Sequence, residues 1–239
     1  TIKLDSSLPL QKKMDEFTHL LRPIASLRYS PNGNSDISNK DVLLDYNNVF
    51  SLNRIGTSDQ IEGGESLSMG LEFQRKNLDD TNVLDFRIAN VLKYKENLKL
   101  PSKSKLNKTR SDLFGSLNYN LNNNLKLGYH FSYDRDIEHA NLEGYNVDFN
   151  INNVFSNFYY YTTDNDLGKK ETITNSTIIN VDEENLFKFN STKNLLDNFT
   201  EYYSLIYSHE TDCLSINLNY NKSFYRDGNL KPNESLSFL

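Results

Sequence analysis

Tryptophan is absent from the 239 residues, methionine occurs twice and cysteine once. The lone thiol, Cys213, cannot close an internal disulfide. No stretch approaches the ~18 consecutive apolar residues of a membrane-spanning helix, which excludes that architecture and leaves a β-barrel open. Basic charge is also short: Lys and Arg number 26 against 32 acidic residues, a formal net charge of −6. A general nucleic-acid binder carries a basic surface, so no nucleic-acid partner is expected. Hydrophobic residues are only 37% of the chain and mean hydropathy is −0.65, low for a compact soluble domain.

What is present is tyrosine and phenylalanine, 15 and 14 of them, and abundant asparagine, often in runs such as NNN at 122–124. Low hydropathy with many aromatics fits a partly disordered polar chain or a barrel whose strands are apolar on one side only. The pattern decides between them. In GGESLSMGLEFQRKN (63–77), Leu67, Met69, Leu71 and Phe73 alternate with Ser66, Ser68, Glu72 and Gln74. Residues 125–135 repeat this with Leu125, Leu127, Tyr129, Phe131 and Tyr133, and residues 143–152 with Tyr145, Val147, Phe149 and Ile151. Period-2 alternation places each set on its own face of a strand. Further runs fall at 2–12, 20–30, 82–96, 112–121, 154–163, 172–181, 185–194, 199–209, 212–225 and 233–239.

This predicts about thirteen strands and no amphipathic helix. Many are ten residues or longer, whereas soluble strands average about five or six and a bilayer-crossing strand needs about 9–11. Asp, Lys, Glu and Asn in midstrand suit a wet lumen. Short turns at 77–81, 122–124, 152–153, 182–185 and 209–212 alternate with longer links at 97–111, 136–142, 164–171, 195–198 and 226–232, as in outer-membrane barrels. The expected fold is therefore all-β: an antiparallel up-and-down transmembrane β-barrel, with residues 1–239 forming part of its wall and a long outer loop at about 31–64. The start at Thr1 and the end in the alternating NESLSFL read as those of a fragment. Soluble β-sandwich and β-solenoid folds remain the alternatives at this point, and 42–51 reads either as a strand or as part of the long loop.

The runs LRPIASLRYSP (21–31) and DYNNVFSLNRIGTSDQIEGGESLSMGLEF (45–73) resemble the barrel domain of the LPS-assembly protein LptD family (OstA, Imp). Leu21, Pro23, Tyr29, Pro31, Asp45, Phe50, Arg54, Asp59, Glu62 and Gly64 carry the resemblance, and 200–239 is similar to the family's C-terminal strands, including a cysteine position at Cys213. The sequence departs from the family pattern at Gln60, at Gly56, and at Asp212, which stands where well-known members have a second cysteine.

The resemblance implies a non-catalytic component of the Gram-negative outer membrane that delivers lipopolysaccharide to the outer leaflet through the lumen and a lateral opening. The implied partners are an LptE-like lipoprotein in the lumen, a periplasmic jellyroll of the same chain, and through it the periplasmic transport bridge. It implies that Cys213 ties barrel to jellyroll, that Arg54, Asp59, Glu62 and Gly64 belong to a family-like outer loop, that Ser66, Ser68, Glu72 and Gln74 face the lumen, and that Leu67, Met69, Leu71 and Phe73 face lipid. Another outer-membrane barrel, a porin or substrate channel, is the alternative function.

Other signals are weaker. Lys99, Lys103, Lys105, Lys108 and Arg110 crowd one link, where ammonium and guanidinium groups could meet lipopolysaccharide phosphates or simply remain solvated. Tyr159, Tyr160 and Tyr161 suit an interfacial aromatic girdle or ordinary strand packing. The four histidines lack metal-ligand spacing, the acidic stretch 134–143 reads as a polar loop, and no phosphate loop, dinucleotide fingerprint or nucleophile elbow occurs. No cofactor and no catalytic residue are expected.

Overall fold

In the computed structural model, the described residues are 1–31, 36–38, 42–56, 62–165, 168–224 and 232–238. They contain fourteen strands: β1 (Ile2–Ser7), β2 (Leu10–Lys13), β3 (Phe17–Ser30), β4 (Gly64–Asn77), β5 (Asn82–Lys93), β6 (Leu113–Asn122), β7 (Leu125–Tyr133), β8 (Ala140–Ile151), β9 (Val154–Asn165), β10 (Gly168–Asn180), β11 (Asn185–Asn194), β12 (Phe199–Glu210), β13 (Ser215–Ser223) and β14 (Asn233–Phe238). All lie in one antiparallel sheet whose order follows the chain from β3 to β14, with β1 and β2 both beside β3. Among the described residues the sheet is open, ending at β1 and β14, and no residue is helical.

β1 and β2 are one strand of the sequence pattern, interrupted. Ser7 pairs with Ile24 and Leu10 with Leu21 in a continuous register. Between them Leu8 N–H donates to the Pro23 carbonyl at 3.1 Å. Because a strand residue directs its N–H and C=O to the same neighbour, the missing N–H of Pro23 falls at this gap, beside Pro9. Two prolines without donors thus meet where the ladder breaks, and the unbroken β3–β4 ladder is untouched.

The strand ends are turned by polar residues that tolerate positive φ. Asp80, Asn152 and Asn198 adopt φ of 64°, 53° and 48°, which explains part of the asparagine content. The segment 42–51 is not a strand; residues 46–50 form turns within the long link.

The chain packs as two units. The first, 1–119 with 129–143 and 163–168, contains the core, built from Ile37, Leu44, Tyr46, Val49, Ile55, Ala89, Val91, Leu100, Leu106 and Phe114. Most of these come from the links 36–56 and 97–111, not from strands. In the second unit, 120–128, 144–162 and 169–239, no large apolar side chain among the described residues is buried. Ser156, Thr172 and Ser204 are buried there, while Phe158, Ile179, Phe187, Phe189, Leu205 and Leu218 are exposed.

Candidate functional site: a polar sheet face covered by two links

The β3–β4–β5 register sorts the side chains. Leu67 lies opposite Leu27 and Leu92, Leu71 opposite Pro23 and Ile88, and Phe73 opposite Leu21 and Phe86. On the other face Ser66 stands between Arg28 and Lys93, Ser68 between Ser26 and Val91, and Glu72 between Arg22 and Arg87. The polar face is the covered one. Ser66, Ser68 and Glu72 are 5%, 3% and 7% exposed, whereas Met69 is 43%, Leu27 53% and Tyr29 47% exposed. Leu67, Leu71, Phe73 and Gln74 are half-buried. Burying a polar face and leaving an oily one bare is the reverse of a soluble sheet.

The cover is the described part of the link 36–56, residues 36–38 and 42–56. Phe50 lies over Gly70, where an added Cβ would sit 2.6 Å from the ring's Cζ; only a residue without a side chain admits the ring. Tyr46 donates its hydroxyl to Glu72 Oε1 at 2.7 Å. Burial, then the Glu72 contact, pushes the Tyr46 hydroxyl well above the usual phenol range. Arg22 holds the other Glu72 oxygen, Nε to Oε2 at 2.6 Å. Farther along the same face Gln74 donates to Asp85 Oδ2 at 2.8 Å, as does Arg87 at 3.0 Å.

At one end of this face four buried charges meet. Arg54 donates from Nε to Glu62 Oε2 at 2.6 Å and from Nη2 to Oε1 at 2.8 Å. Arg28 donates from Nη1 to Oε2 at 2.7 Å and from Nη2 to the Glu62 carbonyl at 2.8 Å. Lys93 Nζ lies 2.6 Å from Oε1 and donates to the Leu106 carbonyl at 2.7 Å. Arg54 also reaches Ser66 and Ser68, each at 2.9 Å. Burial alone would raise the Glu62 carboxyl, but the Arg54 bonds and charge and the Lys93 charge override it and hold it at about 2. Glu62 and Arg54 belong to the long link, Arg28 and Lys93 to the wall, so this cluster fastens the cover to the sheet.

A second buried carboxylate ties the link 97–111 to β7 and β8. Asp112 is fully buried. Its Oδ2 accepts from Ser132 Oγ at 3.0 Å and Asn141 Nδ2 at 2.9 Å. Burial pushes this carboxyl up to about 6, and the two hydrogen bonds only partly oppose it.

The family-like positions Arg54 and Glu62 are thus not on a solvated excursion; each is 2% exposed. Gly64 is exposed with φ of 93°, and Asp59 lies outside the described residues, as does Gln60. Within the basic link, Lys99, Lys108 and Arg110 are exposed and Lys103 and Lys105 half-buried. The link as a whole is anchored by Leu100 and Leu106. Cys213 is an exposed free thiol. The tyrosine run divides between faces: Tyr160 meets Tyr145 at 6.0 Å on the apolar side, and Tyr159 meets Tyr161 at 6.0 Å on the other. No cluster of metal-binding side chains occurs among the described residues.

Sequence reasoning missed Arg28, Lys93, Tyr46 and Asp112. Alternation already put Arg28 on the polar face of LRPIASLRYS. Lys93 was hidden among the basic link residues, and nothing local marks Tyr46 or Asp112 as buried.

A family model described as LptD: LPS transport system D matches residues 1–199. No curated protein matches the chain.

Proposed function

Since the chain belongs to the LptD family, LPS transport system D, whose members act in lipopolysaccharide transport and assembly at the outer membrane, we propose that its sheet is part of the barrel wall through which lipopolysaccharide reaches the outer leaflet. The observation that carries this reading is the inversion of the sheet: Met69, Leu27 and Tyr29 bare on one side, Ser66, Ser68 and Glu72 covered on the other. A bare apolar face of this extent needs a nonpolar partner, and for a strand of 14 residues such as β4 that partner is the acyl-chain region. Leu67, Met69, Leu71 and Phe73 then face lipid, and Ser66, Ser68, Glu72 and Gln74 face the lumen, beneath the link.

In this reading the links 36–56 and 97–111 cover the luminal side. Exposed Lys99, Lys108 and Arg110, with Lys103 and Lys105 beside them, meet lipopolysaccharide phosphates as they pass. An LptE-like lipoprotein occupies lumen not filled by these links, the lipid leaves by a lateral opening, and Cys213 bonds to a periplasmic jellyroll that connects to the transport bridge. The chemistry is positioning and solvation, with no bond made or broken.

The test is spin-label accessibility in a bilayer, in a Cys213→Ser background. Labels at Met69→Cys and Leu71→Cys should be reached by oxygen. A label at Asn118→Cys, an exposed position opposite Asp85 on the polar face, should be reached by a water-soluble nickel complex. Shielding of 69 and 71 from both reagents would refute the barrel. Depletion of the protein should strip lipopolysaccharide from the outer leaflet; an unchanged leaflet would refute the transport role alone.

A further inference from the structure

The cluster around Glu62 is unbalanced. Three cations, Arg28, Arg54 and Lys93, surround one carboxylate, and the side chains are 5%, 1%, 5% and 1% exposed for Arg28, Arg54, Lys93 and Glu62. Among the described residues two positive charges of this buried cluster therefore stay uncompensated, a costly arrangement unless something anionic completes it. Arg28 Nε has no hydrogen-bond partner among the described residues, so a donor is unused inside the cluster.

The cluster does not end in solid protein. Lys93 also lines a cavity of about 530 Å³ bounded by Tyr29, Ser30, Gly64, Tyr94 and Lys95. This volume lies in the range of small-molecule pockets. Glu65 and Glu96 also line it, but both are exposed, and Glu96 is offset by Lys108 at 3.5 Å. Exposed charges are screened by solvent and salt, while buried ones project their field into the adjoining space. The unbalanced buried charge behind Lys93 therefore biases the cavity towards anions.

We propose that the cavity at Tyr29, Ser30, Lys93 and Lys95, with the buried charges of Arg28 and Arg54 behind Lys93, is a binding site for a phosphomonoester dianion. Its two negative charges match the two left unpaired. Guanidinium and ammonium donors are suited to phosphate oxygens. Lys93 is the hinge of the site: it bonds Glu62 on one side and borders the cavity on the other, so a phosphate there competes with Glu62 for the same ammonium. Lys95 and Ser30 supply further donors at the mouth. The phosphate is either free in solution or carried on a glycolipid headgroup. The site itself stands on the ion cluster; its assignment to the transported lipid rests on the function proposed above.

The experiment is calorimetric titration of the whole protein, purified in detergent, with inorganic phosphate and separately with a phosphorylated glucosamine-disaccharide lipid in mixed micelles. The dephosphorylated lipid is the control. Lys93→Gln should weaken binding about tenfold, the loss of one charge-assisted contact, and Lys95→Gln severalfold. Heat-modifiable electrophoretic mobility reports folding, and if Lys93→Gln does not fold, the exposed Lys95→Gln decides. Binding of both phosphate forms, reduced by the variants, supports a general phosphate site. Binding of the lipid-borne form alone, likewise reduced, supports the site and names the headgroup as its source. Binding of neither form, or binding undiminished in the folded variants, overturns the proposal whether or not the protein transports lipopolysaccharide.

Discussion

Glu62 and Asp112 are both buried carboxylates, and their surroundings drive them in opposite directions. Glu62, ordinarily near 4.5, is held at about 2 by Arg54 and Lys93 against the opposing pull of burial. Its contribution to stability is therefore fully present above pH 4.5 and is lost as pH falls through about 2. Glu62→Gln leaves two guanidinium groups and an ammonium facing a neutral amide. It should destabilise the fold by about 3 to 5 kcal/mol, read as an earlier urea midpoint by circular dichroism in lipid vesicles. Asp112, ordinarily at 3.8, is pushed up to about 6 by burial. Its protonated form is the favoured one in the folded chain, so its contribution is fully present below pH 3.8 and is lost as pH rises through about 6. Asp112→Asn keeps an acceptor for Ser132 and Asn141 without the charge. It should flatten the stability change between pH 4 and 6 and leave the variant more stable than the parent at pH 8; unaltered pH dependence would show that Asp112 does not titrate in this window.

At the scale of elements, the contact between the link 36–56 and β4 turns on one missing side chain. A Cβ at Gly70 would collide with the Phe50 ring and with the Ile88 carbonyl at 3.0 Å. Gly70→Ala should cost about 1 to 3 kcal/mol by overpacking, and Phe50→Leu in that background should recover part of the loss by removing the ring edge. A double-mutant cycle measures this coupling directly; additive effects would mean that Phe50 does not rest on the strand. β6 and β7 offer a parallel case, since Gly115 accommodates the ring of Phe131, which an added Cβ would strike. In both places an aromatic ring fills the gap above a strand glycine, which stiffens a strand that glycine alone would loosen.

For the whole molecule, the distribution of burial predicts how it behaves in water and in a membrane. The second unit buries no large apolar side chain among its described residues, and a sheet with its apolar side bare is not stable in water by itself. The protein should need detergent or lipid to stay monodisperse, which light scattering on dilution below the critical micelle concentration tests. In the first unit the links supply the core, so deleting residues 42–55 removes Leu44, Tyr46, Val49, Ile55 and Arg54 together and uncovers the polar face. Cells carrying that deletion should become sensitive to large hydrophilic antibiotics that the outer membrane normally excludes; unchanged sensitivity would mean that these links do not obstruct the lumen.

The sequence by itself determined the strands and their faces. Period-2 alternation is a local property, and β4 at 64–77, β11 at 185–194 and β14 from 233 fall where the pattern put them, because in a strand each side chain's face follows from its parity alone. The same parity assigned Ser66, Ser68 and Glu72 to one side and Leu67, Met69 and Leu71 to the other. The motif residues of 21–31 and 45–73 also carry the family resemblance by themselves. Tertiary structure alone decided what lies over the polar side. The link 31–64 reads as an outer loop from its length and its place in the alternation of short and long links, and within it Ile37, Leu44, Val49 and Ile55 are among the most buried of the described residues. Their partners Ala89, Val91, Leu100 and Leu106 are remote in sequence, and no local pattern encodes a contact between distant segments. The Glu62 cluster is of the same kind: Arg28, Arg54, Glu62 and Lys93 come from two strands and a link, and only their convergence in space turns four ordinary surface residue types into a buried, positively charged centre.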